Sequence, residues 1–438
     1  ASARLRLVGR DSEIAILRAA MAQACEGRGC AATVVGEPGL GKTALLAELR
    51  EEARAAGVPW LDCACSELGR SSAMLPLRDM LLRALQLDPR DPPAARAAAV
   101  RRQLRAALQD AAKIETLIAW LGVGAAAGAR EAPSAELRRL GFSAMCEWLA
   151  SVAQASGAVV AVENVHWADA AAAEALRQLT HVAAGSNLLF VQTSRDRSPW
   201  PGGSGASVEI HLQPLDAAAA AALVAQLDPQ HRLSPQARAA AAARAEGIPF
   251  FAVELVKLAQ TADAETLADV LSRPSSLNDS LAARLDALGP LRPIAQAASV
   301  LGDRLDEAVL ADMLSLDRVE LRARLAAMAA AGFIEASEDL LVGDHVFRHR
   351  LLREAAYNSL LRARRRDLHA RAADILTRVF PDRAEARPDL AARHFEEAGA
   401  ALDASFWWRV AGDRGAAQTA TLDAIECYRR ACDGLPRP

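Results

Sequence analysis

Short apolar runs alternate with amphipathic stretches through the first half of the chain. Ala31 to Val35, Val58 to Cys65, Ala158 to Val162, Leu188 to Gln192 and Val208 to Leu212 are strand candidates. Helical patterns separate them, as in a parallel α/β sheet. A long helical insertion, roughly Met74 to Ser151, lies between the second and third strands, and Pro92-Pro93 and Gly122 to Gly128 mark loops within it. Beyond Gly202-Gly203 the alternation stops. Ala217 to Leu227, Pro235 to Ala245 and Phe250 to Ala259 read as helices, with Gly247-Ile248-Pro249 as a break before the third. Asp263 to Ser276 reads as a linker. Several short helices follow from Leu277 to about Arg366, and among them Gly332 to Ala336 and Leu340-Leu341-Val342 form two short apolar runs. Helices followed by a small hairpin predict a winged-helix unit. From Arg387 the chain is helical, with Ala-Gly turns at Ala398-Gly399 and Ala411-Gly412, as at the start of a tetratricopeptide-type array.

The predicted architecture is an α/β core with a parallel sheet, then an all-helical lid, a winged helix and TPR-like helical repeats. The boundaries fall at 1–205 for the core with its insertion at about 74–151, 206–275 for the lid, 276–366 for the winged helix and 367–438 for the repeats. Only one or two repeat units fit before Pro438, and the chain opens on Ala1 rather than Met, which predicts a piece of a longer protein.

Composition narrows the function. The 438 residues are 52% hydrophobic, much of it alanine, but only 4% aromatic, so the chain is helix-rich. A net charge of −3 argues against a dominant nucleic-acid or polybasic membrane role. No apolar run approaches the ~18 residues of a membrane helix, and no signal-peptide core is present, so a cytoplasmic location is expected. Seven cysteines without a CxxC pair fit reduced thiols, and Cys63 and Cys65 read as strand packing residues.

Gly36-Glu37-Pro38-Gly39-Leu40-Gly41-Lys42-Thr43 matches G-x-x-x-x-G-K-[ST], with an apolar strand before it and a helical run, Ala44 to Ala53, after it. Such a loop curls its N–H groups around phosphate oxygens, and the helix N-terminus adds partial positive charge. Lys42 is placed to reach the β- and γ-phosphates and Thr43 to hold Mg²⁺. The strand Ala158 to Val162 runs into Glu163, a candidate metal-side acid. Asn164 follows it. An amide can hydrogen-bond a water but cannot accept its proton, so slow hydrolysis is expected unless His166 or Asp169 compensates. Asp169 reads equally well as the N-cap of Ala170 to Leu179. Arg195, at the end of the fourth strand, is placed to sense a γ-phosphate; the alternative is a surface pair with Asp196.

Together these residues resemble the STAND class of P-loop ATPases, in the AAA-like branch of the ASCE-type fold. More narrowly, the chain resembles the ATPase modules that accompany bacterial class III adenylate/guanylate cyclases, kinase/cyclase fusions and large LuxR-type regulators. Leu7-Val8-Gly9-Arg10-Asp11-Ser12-Glu13 resembles hhGRxxE, a motif that contacts adenine and anchors the core. Glu163 to Asp169 resembles E-D-L-H-W-A-D, with Asn164 in place of the second acid. Thr193-Ser194-Arg195-Asp196 resembles T-x-R-D, and Gly247-Ile248-Pro249-Phe250-Phe251 resembles the lid motif G-x-P-F-F. Phe347 to Tyr357 resembles the end of the winged helix, where His349 takes the place of a histidine that touches the ADP β-phosphate.

The resemblance implies ATP/ADP and Mg²⁺ as ligands, with ATP preferred to GTP on that ground alone. It implies a nucleotide-holding set of Val8, Gly9, Arg10, Gly36, Gly39, Leu40, Gly41, Lys42, Thr43, Ala44, Pro249 and His349. Glu163, Asn164 and Arg195 carry the chemistry, and Thr43 and Glu163 the metal. It implies a signal-transduction switch with weak hydrolysis, a protein partner or output domain engaged through the C-terminal helices, and nucleotide-dependent self-association. An active AAA-type ATPase doing mechanical work and a non-hydrolysing scaffold remain the alternatives. Arg362, Arg364, Arg365, Arg366, His369 and Arg371 form a basic run. DNA contact is one reading of it; the acidic net charge and Asp367 argue against that, and the resemblance implies a winged helix that serves as an internal packing unit. In Phe406-Trp407-Trp408 the two tryptophans must face different ways, so one is expected in the core and the other either on a concave partner-binding surface or packed as well, and packing of both is the favoured reading.

Overall fold

The computed structural model describes residues 6–65, 74–87, 91–105, 107–123, 135–168, 170–195, 207–261, 277–336, 345–417 and 421–434. Two compact units divide the chain. One comprises Ala1–Trp60, Ser156–His166 and Ala183–Gly289; the other comprises Leu61–Ala155, Trp167–Val182 and Pro290–Pro438.

A five-stranded sheet of order β2-β3-β4-β1-β5 forms from β1 (Cys30–Val35), β2 (Trp60–Ala64), β3 (Ala158–Glu163), β4 (Leu188–Ser194) and β5 (Ser207–His211). β1 pairs in parallel with β4 and β5, and β3 pairs in parallel with β4. β1 and β4 are buried at every position and β3 at all but Glu163, which explains their near-continuous apolar runs. Two of the buried polar side chains in these strands satisfy each other, as Gln192 donates to Thr33 Oγ1 at 2.8 Å across β4 and β1. Alternate residues Ala32, Val34, Val159, Ala161, Leu189 and Val191 face one way. They pack with Ile14 and Leu17 of α1 (Asp11–Cys25) and Leu45, Leu46 and Leu49 of α2 (Lys42–Ala55).

The expected lid helices are present in the first unit as α8 (Ala217–Leu227), α9 (Pro235–Arg244) and α10 (Pro249–Thr261), followed by α11 (Leu277–Asp286). Asp216 and Ser234 cap α8 and α9 by accepting from the third helical amide. Leu223, Val224, Phe251, Leu255 and Val256 form their shared core. The buried Glu254 carboxylate on α10 meets Arg284 of α11.

In the second unit, α3 (Leu75–Ala84), α4 (Pro93–Leu104), α5 (Ala111–Leu121) and α6 (Ala135–Ser156) account for the helical insertion, and α7 (Ala170–Ala184) lies between β3 and β4 in the chain. Gly141 on α6 packs against the Trp120 ring, where an added Cβ would come within 2.5 Å of it. The winged-helix elements are α12 (Arg292–Leu301), β6 (Arg304–Leu305), α13 (Glu307–Leu314), α14 (Arg318–Ala330), β7 (Ile334–Ala336) and β8 (His345–Phe347). The three strands form an antiparallel sheet of order β6-β8-β7. The described partner of β7 is thus His345–Phe347, while Leu340-Leu341-Val342 lies outside the described residues. So do Asp263 to Ser276, Asp169, Asp196 and Gly202-Gly203.

The remaining helices are α15 (Arg350–Asn358), α16 (Arg362–Arg378), α17 (Pro381–Ala386), α18 (Pro388–Ala398), α19 (Ala401–Ala417) and α20 (Thr421–Asp433). Gly399 ends α18 at φ 82°, as the predicted turn requires. The turn expected at Ala411-Gly412 does not exist. Gly412 lies inside α19, and an added Cβ would stand 2.6 Å from the Tyr428 ring of α20. The glycine serves a close helix contact rather than a break. Trp408 is buried, with Nε1 donating to Glu396 at 3.2 Å, and Phe406 is half exposed.

The basic run lies on α16, with Arg362, Arg364, Arg366 and Arg371 exposed, Arg365 half-buried and His369 buried. Arg364 and Arg371 pair with Asp367 at 2.6 and 3.3 Å, and Arg365 donates to the Tyr357 carbonyl at 3.1 Å. Cys63 and Cys65 are buried. Among the described residues no helix is long and apolar enough to cross a membrane.

Candidate nucleotide site

The carboxyl edge of a parallel sheet is where such folds bind ligands. β1 delivers Gly36 there, and its N–H donates to the Ser194 carbonyl at the end of β4 at 3.2 Å. Gly39 and Gly41 adopt φ 87° and 95°, a left-handed conformation that favours glycine. The loop then enters α2 with Gly41 as N-cap, Lys42 as the first helical residue and no acid in the first turn. Thr43 and Ala44 are exposed beside it. The helix end presents N–H groups and partial positive charge with no carboxylate to compete.

Lys42 Nζ donates to the carbonyls of Gly36 at 2.6 Å and Glu37 at 3.1 Å, folding the ammonium over the loop. Burial holds its pKa below the ordinary lysine value, Glu37 and Glu163 oppose that shift, and the Arg195 charge adds to it. Thr43 Oγ1 donates to Glu163 Oε2 at 2.6 Å. A hydroxyl and a carboxylate, both oxygen donors, suit a hard divalent cation such as Mg²⁺. The glycine loop, the lysine and the acid-free helix end suit a polyphosphate. The residues present therefore fit a Mg²⁺-nucleotide: Lys42 and the loop amides would hold its phosphates, and Thr43 and Glu163 its metal.

Asn164 follows Glu163 at φ 58°, in the left-handed region that Asn and Asp tolerate better than other side chains. Its N–H donates to Thr193 Oγ1 at 2.9 Å. Arg195 follows β4 and is partly buried, with its charge felt at Lys42.

Arg10 is buried rather than open to a ligand. It pairs with Glu13 at 3.1 Å and donates to the carbonyls of Leu40 at 3.2 Å and Gln213 at 2.6 Å. It thereby joins the N-terminal segment, the phosphate loop and the residues leading into α8. Val8 is half-buried beside it. Gly9, at φ 64°, lies against α8, where a Cβ would stand 2.6 Å from Ala219 Cβ. Pro249 opens α10 next to the loop: its Cγ is 3.9 Å from where a Gly41 Cβ would be, and the Phe250 N–H donates to the Gly39 carbonyl at 3.2 Å.

The first unit thus brings the phosphate loop, Glu163, Asn164, Arg195, Arg10 and Pro249 together. His349 is not among them. It belongs to the second unit, where it caps α15 with Nδ1 accepting from the Leu351 N–H at 3.2 Å. Reasoning from sequence missed Thr193, although it opens the T-x-R-D motif, because its use depends on how the ends of β3 and β4 meet. It also missed Arg350, which lies 4.5 Å over the Trp167 ring within the second unit.

A parallel sheet with such a loop at its carboxyl edge defines a P-loop core. Consistent with that, residues 6–191 match the family model described as an AAA ATPase domain. The chain is 28% identical over 443 residues to an uncharacterised protein of Rhizobium meliloti (strain 1021), covering 98% of this chain and 42% of that protein. Among solved structures it is similar to a Signal Transduction ATPase with Numerous Domains (STAND) protein with a tetratricopeptide repeat sensor from Pyrococcus horikoshii. That likeness has a TM-score of 0.53 at 12% identity and covers 98% of this chain and 57% of the archaeal one. Pyrobaculum aerophilum Cdc6p superposes less closely, with a TM-score of 0.42 at 10% identity over 85% of this chain and 97% of its own. The chain therefore spans under two thirds of the length of both the bacterial relative and the STAND protein.

Proposed function

We propose that the chain is an ATP- and Mg²⁺-dependent signal-transduction switch with slow hydrolysis, which regulates an attached or partner output domain. The observation that carries this reading is the Thr43–Glu163 hydrogen bond of 2.6 Å with Asn164 next in the chain. The pair is ready for a cation, but the following side chain is neutral and cannot act as a base. Binding without fast turnover is what a switch needs, provided that ATP and ADP favour different forms. The narrower likeness to modules attached to class III cyclases and LuxR-type regulators is part of the proposal. So are the four segments bounded at residues 205, 275 and 366, partner binding or self-association through the C-terminal helices, and a part for His349 in retaining ADP.

The test is to denature the purified protein and identify any released nucleotide by chromatography, then follow turnover with Asn164→Asp. Stoichiometric ADP or ATP and a turnover well below about 1 s⁻¹ are expected, with Asn164→Asp raising the rate. An empty site that binds neither nucleotide in titration would sink the reading. Wild-type turnover above that rate would favour an ATPase doing mechanical work.

A further inference from the structure

The end of β4 touches two parts of the site at once. On one side the Ser194 carbonyl accepts from the N–H of Gly36, the first residue of the phosphate loop, at 3.2 Å. On the other, the Thr193 hydroxyl accepts from the N–H of Asn164 at 2.9 Å. Thr193 and Ser194 are fully buried, and β4 is locked by parallel pairing between β1 and β3. Consecutive residues of one rigid strand therefore hold the phosphate loop and Asn164 in register.

Asn164 needs such a tie. β3 ends at Glu163, and at φ 58° Asn164 leaves the extended path, so no pairing partner along β3 fixes its backbone. The threonine hydroxyl supplies a side-chain acceptor where the ladder has stopped. The Thr43–Glu163 hydrogen bond ties the preceding side chain to the loop, and the threonine hydroxyl ties the backbone of Asn164 itself. A displacement of about 1 Å at a reacting group can cost on the order of 100-fold in rate.

We infer that Thr193 is a positioning residue, which acts on the nucleotide chemistry by holding the Asn164 backbone in register with the phosphate loop through its side-chain hydroxyl. This rests on the nucleotide-switch reading above.

Thr193→Val keeps the shape and removes the acceptor, and Thr193→Ser keeps the acceptor. Single-turnover hydrolysis of bound MgATP should fall about tenfold or more in Thr193→Val and recover in Thr193→Ser. The Kd for a fluorescent ADP analogue should stay within about twofold in both. Hydrogen exchange at the Asn164 amide should quicken in Thr193→Val alone. Unchanged hydrolysis in Thr193→Val, or a Thr193→Ser variant as impaired as Thr193→Val, would overturn the inference. So would ADP affinity falling in step with hydrolysis, since Thr193 would then touch the nucleotide itself. If wild-type protein binds or hydrolyses no ATP, the switch reading fails. The exchange measurement still decides the positioning role, with equal exchange in wild type and Thr193→Val counting against it.

Discussion

Arg10→Ala separates two roles for the same side chain. Resemblance gives the motif around Arg10 a contact with adenine; the structure spends its guanidinium on Glu13 and on the carbonyls of Leu40 and Gln213. At 5% exposure little of the residue remains for a ligand. Truncation takes a charged donor from two carbonyls and from one carboxylate, and Glu13 retains its 2.6 Å bond from Ser12 Oγ. Hydrogen bonds from charged groups contribute about 1.5–3 kcal/mol each, and water can replace part of that at the half-buried Gln213 carbonyl. A loss of about 3–4 kcal/mol from the first unit follows, in the range for breaking a buried pair. With a urea slope of ~2 kcal/mol/M, its midpoint should fall by about 1.5–2 M. The protein should be stripped of nucleotide first. The two units can unfold in separate steps, so the transition to read is the one that exposes the amides of the phosphate loop to exchange. Arg10→Lys should fall between the two, since an ammonium keeps the charge but not the fork that spans three partners. An unchanged midpoint in Arg10→Ala, with adenine-nucleotide affinity down about tenfold, would refute the clamp and restore the base contact.

Lys42→Ala should cost about 3 kcal/mol of phosphate binding, roughly 100-fold in Kd by calorimetry; equal affinity would place the nucleotide elsewhere. The buried pair His369 and His394, with Nδ1 atoms 2.9 Å apart, gives the second unit a pH dependence. Burial pulls His369 down to about 4, with the Arg365 charge adding to the shift, and His394 to about 3, with His369 and then Arg393 adding to it. The unfolded chain takes up protons below about pH 6.5 that the folded pair refuses, so stability is full above that pH. It falls as the pH drops toward 4, by on the order of 3 kcal/mol for His369. Denaturation midpoints at pH 7 and 5 read this, and His369→Gln should flatten the slope. Gly412→Val should cost about 1–3 kcal/mol by forcing α19 away from Tyr428, seen as a lower melting temperature; a neutral outcome would mean that the ring moves freely.

Where sequence reasoning succeeded, local chemistry and global placement coincide. Gly39, Gly41, Lys42 and Thr43 are legible because left-handed turns and a helix start impose residue types at fixed offsets. The sheet is legible because strands buried on both faces cannot hide their apolar runs. Reasoning failed where one residue answers to a distant partner. Gly412 carries a turn signal, and only the approach of Tyr428 explains why a glycine survives within a helix. Arg10 belongs to a ligand motif, yet its partners Leu40 and Gln213 lie 30 and 203 positions away. Thr193 reads as a polar strand end until the turn at Asn164 supplies the N–H that it accepts.

Asn164 shows how two demands can meet in one position. The left-handed backbone at φ 58° calls for Asn, Asp or Gly, whatever the chemistry requires. Proton acceptance calls for a carboxylate. Aspartate meets both demands and asparagine only the first, so on the proposed switch reading the amide would keep the geometry of the strand end while withholding a base. For that reason Asn164→Asp is a chemical perturbation with no backbone cost. Asn164→Ala confounds the two by adding strain of about 1–2 kcal/mol, and Asn164→Gly removes the side chain while keeping the conformation accessible. Hydrolysis that rises in Asn164→Asp and stays low in Asn164→Gly would assign the slow step to the missing carboxylate. Equal rates in all three would place it in the opening and closing of the protein around its nucleotide.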